Sequence, residues 1–266
     1  MTLNSQMGET QIAACAALVE RGDPDRFAAT MAAPVAARAP LFVLYAFNLE
    51  VARAPWVTKE AMIAEMRLQW WRDIVEQAGQ GRTRAHEVAG PLASLIRERH
   101  LPLDVLDRLV EARRWDVYSE PFEDAAAFDA YLDDTAGGLM WCAATALGAP
   151  AAAEAAVRAL GYAAGLAAYL RAVPALEDRG RLPLVDGRPA AIAALAQQGL
   201  ARYAEYRAKR HLVPRPARPA LFAGYQAKAL LRQAAAQPHR VADGALGISE
   251  FQRRFSLLRA AVTGQV

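Results

Sequence analysis

The chain has 266 residues, enough to bury a substantial core and suited to one domain or at most two. Hydrophobic side chains make up 54% of it and charged ones 22%, which excludes wholesale disorder. The 31 basic and 28 acidic residues leave a formal charge of +3, too slight to imply nucleic acid, and two cysteines form neither a disulfide framework nor a soft-metal cluster.

The opening MTLNSQMGETQ lacks the positive region and apolar run of a secretory signal. A cytoplasmic protein is therefore expected, with Cys15 and Cys142 as buried thiols in a reducing compartment. Strict apolar/polar alternation is scarce, whereas alanine, leucine, glutamate and arginine fill long segments punctuated by proline and glycine, so helices are expected throughout. The first spans 5–20, and Asp23 before Pro24 marks a boundary. The second covers 35–54, with Pro40 either near its start or at a bend, because proline lacks the donor for an interior helical bond. Thr58 is placed to accept amide hydrogen bonds at the start of a third helix, 59–78; helices over 92–99 and, behind Pro102, 103–117 follow. A helix over 128–147 leads into another over 151–171. The uncharged run 135–153 is expected to be buried core, since its glycines, alanines and Pro150 give little drive for membrane insertion. Further helices are expected over 190–211, 221–235 and 248–262. The proline-rich HLVPRPARPALFAG should pack as a connector, and EDRGRLPLVDGRP either turns the chain or forms a binding edge. No regular repeat is visible, so one all-helical domain over 1–266 is the expected organisation.

On 59–78, Met62, Ile63, Met66, Trp70, Trp71, Ile74 and Val75 recur at spacings near three and four and form a broad apolar face. Glu65, Arg67, Gln69 and Arg72 lie beside it, either recognising an anion next to an apolar cavity or lying along a packed surface. Asp129 and Asp133 share a helical face, with Asp134 next to them; such carboxylates either hold Mg²⁺ beside a diphosphate or simply favour a helix start. The patterns HExxH, GxxxxGK, GxSxG and GxGxxG are absent, and His86, His100, His211 and His239 are dispersed. Neither EARRWDVYSE nor YRAKRHLVPRPARP has the motif or charge of a nucleic-acid site.

Four stretches, APLFVLYAFNLE, IAEMRLQWWRDIVEQ, YLDDTAGGLMWCAATALG and GYAAGLAAYLRAVPALEDRGRLPL, occur in an order that resembles the squalene and phytoene synthase family, over about residues 34–184. The resemblance implies an all-α isoprenoid-synthase fold. In the family's enzymes, it further implies two aspartate-rich motifs facing across a cavity and holding Mg²⁺ against a leaving diphosphate. Aligned on Tyr45, Ala46 and Phe47, the first motif's arginine falls at Leu49, its aspartate pair at Ala52 and Arg53, and its third aspartate at Trp56. In the second motif Leu170 and Arg171 remain, but Ala172, Ala175 and Leu176 replace the acids, with Gly180, Arg181, Leu182 and Pro183 preserving the turn. Losing both halves removes several interactions from one transition state, each often worth roughly several kcal/mol, so ordinary prenyl coupling is not expected.

The order FNLEVAR and then EMRLQWWRD resembles the noncatalytic branch of that family, associated with assembly of respiratory complex I. This resemblance implies a bacterial pseudoenzyme with no cofactor, cytoplasmic or peripheral on the inner face of the membrane. Its implied partner is a complex I (NADH dehydrogenase) subunit or assembly intermediate, and not nucleic acid. The interaction or remnant-cavity residues it implies are Tyr45, Asn48, Glu50, Arg53, Glu65, Arg67, Gln69, Trp70, Trp71, Arg72, Arg171 and Arg181. Two alternatives stay open: a Mg²⁺-dependent prenyl-diphosphate transferase with a relocated site at Asp129, Asp133, Glu177 or Asp178, and a noncatalytic isoprenoid- or lipid-binding protein.

Overall fold

The structure, a computed structural model, describes residues 3–58 and 60–266. Among the described residues every regular element is helical. Helix α1 (Leu3–Gly22) is followed at once by α2 (Pro24–Met31), where the Asp23 carboxylate accepts the Arg26 amide at 2.9 Å and Pro24 takes the first position. No helix was expected here, because eight residues give too little periodicity to register. Helix α3 (Val35–Arg53) runs through Pro40, and from Pro40 to Leu49 every residue is buried. A helix buried all round has no polar face, which is why this stretch carries no amphipathic pattern. A 3₁₀ turn, Ala54–Trp56, ends it.

Helix α4 (Ala61–Gly79) begins later than expected. The start anticipated at Lys59 lies outside the described residues, and Thr58 does not cap α4: its hydroxyl accepts the Glu60 amide at 3.1 Å, ahead of the helix. Helix α5 (Ala89–Arg99) opens behind His86, whose Nδ1 accepts the Val88 amide at 3.1 Å, and closes on His100 in the left-handed region at φ 50°. Helix α6 (Leu103–Ala112) tightens into a 3₁₀ turn, Arg113–Asp116. The single helix expected over 128–147 is instead α7 (Ala125–Leu132), a wide π-helical turn (Asp133–Gly137) and α8 (Gly138–Ala146). Residues 137–144 are all buried, as core rather than as a span.

Helix α9 (Glu154–Glu177) packs against α8, α10 (Pro189–Lys209) and α11 (Ala227–Ala236); α3 packs against α1, α2 and α8, and α4 against α5 and α6. The proline-rich connector forms a 3₁₀ segment (Arg215–Gly224) that buries Ala217, Leu221 and Phe222. After the single turn α12 (His239–Ala242), α13 (Glu250–Thr263) closes the chain behind a Ser249–Gln252 capping box. Two stretches, Val35–Trp56 and Ala151–Glu177, are long and apolar enough to cross a membrane, yet most of each is buried among other helices.

The wide turn matters because it lays backbone against α9. A Cβ on Gly161 would meet Ala136 O and Gly137 Cα, each at 2.8 Å. These are main-chain atoms that cannot rotate aside. In an open helix Gly→Ala gains up to about 1 kcal/mol, whereas overpacking costs about 1–3 kcal/mol, so the clash decides the sign here. Gly161→Ala is expected to lower the urea-unfolding midpoint; a raised midpoint would show that the close approach does not exist.

Candidate functional site

A central cavity of about 120 Å³ lies between α2, α3, α8, α9 and α11. Glycine and alanine supply nearly half of its walls, Ala136, Gly161, Gly165 and Ala168 among them, so the helices stand close and the space between them is narrow. Ligand pockets usually run to about 300–1,000 Å³, well above this volume. Tyr45 lines it, fully buried, with the Arg26 guanidinium 5.5 Å from its ring centroid; burial pushes its hydroxyl up to about 12.

Charge in the cavity is organised around Asp25. One carboxylate oxygen accepts Arg171 Nη1 at 3.0 Å; the other accepts Arg253 Nη2 at 2.6 Å and the Tyr225 hydroxyl at 3.1 Å. Gln226 Nε2 donates to the same tyrosine oxygen at 2.8 Å. Burial alone would raise the Asp25 pKa, but hydrogen bonds from Arg171 and Gln226 and the charges of Arg253 and Arg171 outweigh it and hold the carboxyl below its usual range. Tyr225 is driven up to about 12, chiefly by burial, so near neutrality it donates a hydrogen bond and takes no proton. The cavity's anion-binding groups are therefore occupied by an acid of the chain itself.

A second cluster joins the 3₁₀ turn after α3 to the turn after α9. Trp56, just past α3, has Arg179 at 4.8 Å and Arg181 at 5.0 Å from its ring, both from the turn after α9. Arg181 is buried and donates to the Asp116 carbonyl, within a cluster where Arg113 Nη1 reaches Asp116 at 3.1 Å and the Tyr131 hydroxyl at 2.6 Å.

The remaining sequence candidates fall into separate places. Glu50, Arg67, Trp70, Trp71 and His86 line a shallow cleft of about 280 Å³, in which Trp70 and Trp71 meet edge to face at 4.8 Å. Arg72 is engaged bidentately by Asp107 at 2.7 and 2.9 Å and by Glu111 at 2.5 Å, tying α4 to α6. Glu65 pairs with Arg114 at 3.0 Å, Gln69 donates to Asp73 at 2.9 Å, Asn48 is buried in α3, and Arg53 is exposed. Asp129 accepts Tyr162 at 2.5 Å and Gln198 at 2.8 Å, and Asp133 accepts Arg158 at 3.0 Å. Tyr162 and Glu177 are fifteen residues apart on α9, a rise of about 22 Å, so Asp129 and Asp133 do not share a site with Glu177 and Asp178.

A family model described as squalene/phytoene synthase matches residues 19–185. The chain belongs to the squalene/phytoene synthase family. Among solved structures it resembles a dehydrosqualene synthase crystallised with ligand, with a TM-score of 0.82 at 16% identity, covering 98% of this chain and 99% of that one; the all-α isoprenoid-synthase fold is shared. Among curated relatives it is similar to the protein named NADH dehydrogenase (ubiquinone) complex I, assembly factor 6 of Bos taurus, at 25% identity over 63% of this chain and 51% of the relative. It is similar also to the Drosophila melanogaster homologue, at 28% identity over 71% and 58%. The chain spans about half the length of the curated relatives it matches. Those relatives, from mammals, a fly and a slime mould, are eukaryotic, which corrects the bacterial setting implied by the earlier resemblance.

The family's Mg²⁺ does not fit the residues present. Ala52, Arg53 and Trp56 stand at one motif and Ala172, Ala175 and Leu176 at the other, so no carboxylate remains at any of these positions, and two guanidinium groups lie on the Trp56 ring. Among the described residues no group of three or more His, Cys, Asp or Glu side chains converges as a metal site. The sequence reading found Tyr45 and Arg171 at the cavity but missed Asp25, Tyr225, Gln226 and Arg253. Asp25 reads as an ordinary acid in a first helical turn, and Arg253 lies 228 residues away from it.

A depressed carboxyl pKa adds stability above its unfolded value and loses it as pH falls through the folded value. Asp25→Asn is therefore expected to cost about 1–2 kcal/mol at pH 7, reduced by the partial exposure of its partners. That difference should begin to shrink below about pH 3.8 and disappear only once the pH falls below the depressed folded value, so it is expected to be smaller at pH 3 than at pH 7. Urea-unfolding midpoints of both proteins at pH 7 and pH 3 check this; an equal difference at both would contradict it.

Proposed function

We propose that this chain is a noncatalytic member of its family that assists assembly of respiratory complex I by contact and uses no metal cofactor. The observation that carries the reading is that the positions aligned with the family's metal-binding acids hold Ala52, Arg53 and Trp56 on one side and Ala172, Ala175 and Leu176 on the other. Diphosphate departure needs cations held by carboxylates at those positions, and none of the six carries one; Arg179 and Arg181 of the adjoining turn lie on Trp56 instead. The narrow cavity and its internally neutralised arginines support the same reading and disfavour a carried isoprenoid. The partner is a complex I subunit or assembly intermediate, a role supported by similarity to named assembly factors, and the setting we propose with it is peripheral to the inner face of a membrane.

The outer face of α4 is the contact surface the geometry favours. Met62, Ile63 and Met66 are exposed in succession beside Arg67 and the Trp70 cleft. Unbranched thioether side chains adapt to irregular partner surfaces. A tagged chain purified from mildly solubilised membranes of its own cells is expected to enrich complex I subunits. A Met62→Asp, Met66→Asp double variant should keep its melting temperature and lose enrichment by about tenfold or more. Wild-type purification without any complex I subunit would overturn the proposal.

A further inference from the structure

Helix α13 presents a second apolar face, and it is built differently. Phe251 is 77% exposed, Phe255 56%, Leu258 61% and Val262 77%. Their spacings of four, three and four place them within an arc of about 60° on the helix. Arg254 and Arg259 project about 70° to either side of the midline of that arc. The opposite side is the one held by the protein: Arg253 reaches Asp25 at 2.6 Å, and Ala260 is fully buried. The stripe therefore faces away from the body while its helix is anchored to the cavity.

Basic charge continues beyond the helix. Lys228 lies among Arg232, Arg207 and Arg259, and partial burial together with these cations holds its pKa below the usual lysine value. Arg254 is 80% exposed and its surface pair with Glu250, at 2.9 Å, is weak enough to exchange for another anion. A second copy docked stripe to stripe would bring arginine flanks against arginine flanks. A phospholipid surface offers the complement, with apolar chains beneath the stripe and phosphates at the level of the guanidinium groups.

We propose that α13 is a docking helix for an anionic bilayer surface, with Phe251, Phe255, Leu258 and Val262 entering the headgroup–acyl boundary. Arg254, Arg259 and the adjoining Lys228 cluster engage the lipid phosphates. The inference deepens the peripheral-membrane part of the proposed function and rests on it for context. Its test reads lipid alone, so it can fail while association with complex I subunits stands.

The experiment is flotation of the full chain with phosphatidylcholine vesicles, with and without about 30% phosphatidylglycerol. Binding is expected on the anionic vesicles, weakening as salt is raised. Phe251→Ser with Phe255→Ser should reduce it about tenfold or more, and Arg254→Gln with Arg259→Gln several-fold. All four positions face solvent, so circular-dichroism melts should match wild type. Equal binding to neutral vesicles, or unchanged binding of the two-serine variant, would overturn the proposal. So would absence of vesicle binding, whether the chain is monomeric or forms a dimer that the same substitutions dissolve.

Discussion

A half-exposed carboxylate pinned between two arginines at the rim of the cavity ties together helices that the rest of the arrangement depends on. Asp25 comes from α2, Arg171 from near the end of α9, Tyr225 from just ahead of α11 and Arg253 from α13, so one side chain joins four segments that are far apart in sequence. Charge-assisted hydrogen bonds are directional and stronger than neutral ones, and each of these fixes a helix relative to the cavity. The same contacts spend the cavity's cations on an internal acid. They also orient α13, whose inner arginine is held while its outer stripe faces solvent.

Around that cluster the bundle has the shape of its family with the family's charge logic reversed. A cavity that releases diphosphate needs room for hydrocarbon and cations held by facing carboxylates. Here glycine and alanine make up much of the walls, a π-helical turn presses its backbone onto α9, and the motif positions carry Ala52, Arg53 and Trp56 on one side and Ala172, Ala175 and Leu176 on the other. The acids that remain nearby are already engaged: Asp129 by Tyr162 and Gln198, Asp133 by Arg158. The outward faces of α4 and α13, by contrast, expose apolar side chains that the core does not use. Close packing inside and exposed apolar stripes outside are properties of a protein that works by contact.

Much of the fold was legible because long helices announce themselves by composition and punctuation: α10 falls where periodicity put it, and α9 overlaps its expected span but runs on through Pro174 to Glu177. The failures have physical causes. α2 is too short for periodicity, the π-helical turn is a matter of hydrogen-bond register that side-chain spacing does not encode, and α4 starts after Thr58 because that hydroxyl closes a local turn. At the site, Tyr45 and Arg171 were legible through motif alignment. Asp25 and Arg253 were not, because a contact across 228 residues leaves no local pattern. Arg72, read as a candidate for recognition, is a tie between α4 and α6; the acids that engage it lie on another helix.

The central claim is that the ancestral site has been closed and neutralised by the chain's own residues. Calorimetric titration of the folded chain with a nonhydrolysable farnesyl diphosphate analogue, with and without Mg²⁺, tests it most directly. The account predicts no binding in either condition, because Asp25 already holds Arg171 and Arg253 and the cavity lacks room for the hydrocarbon. Clear Mg²⁺-dependent binding would contradict it.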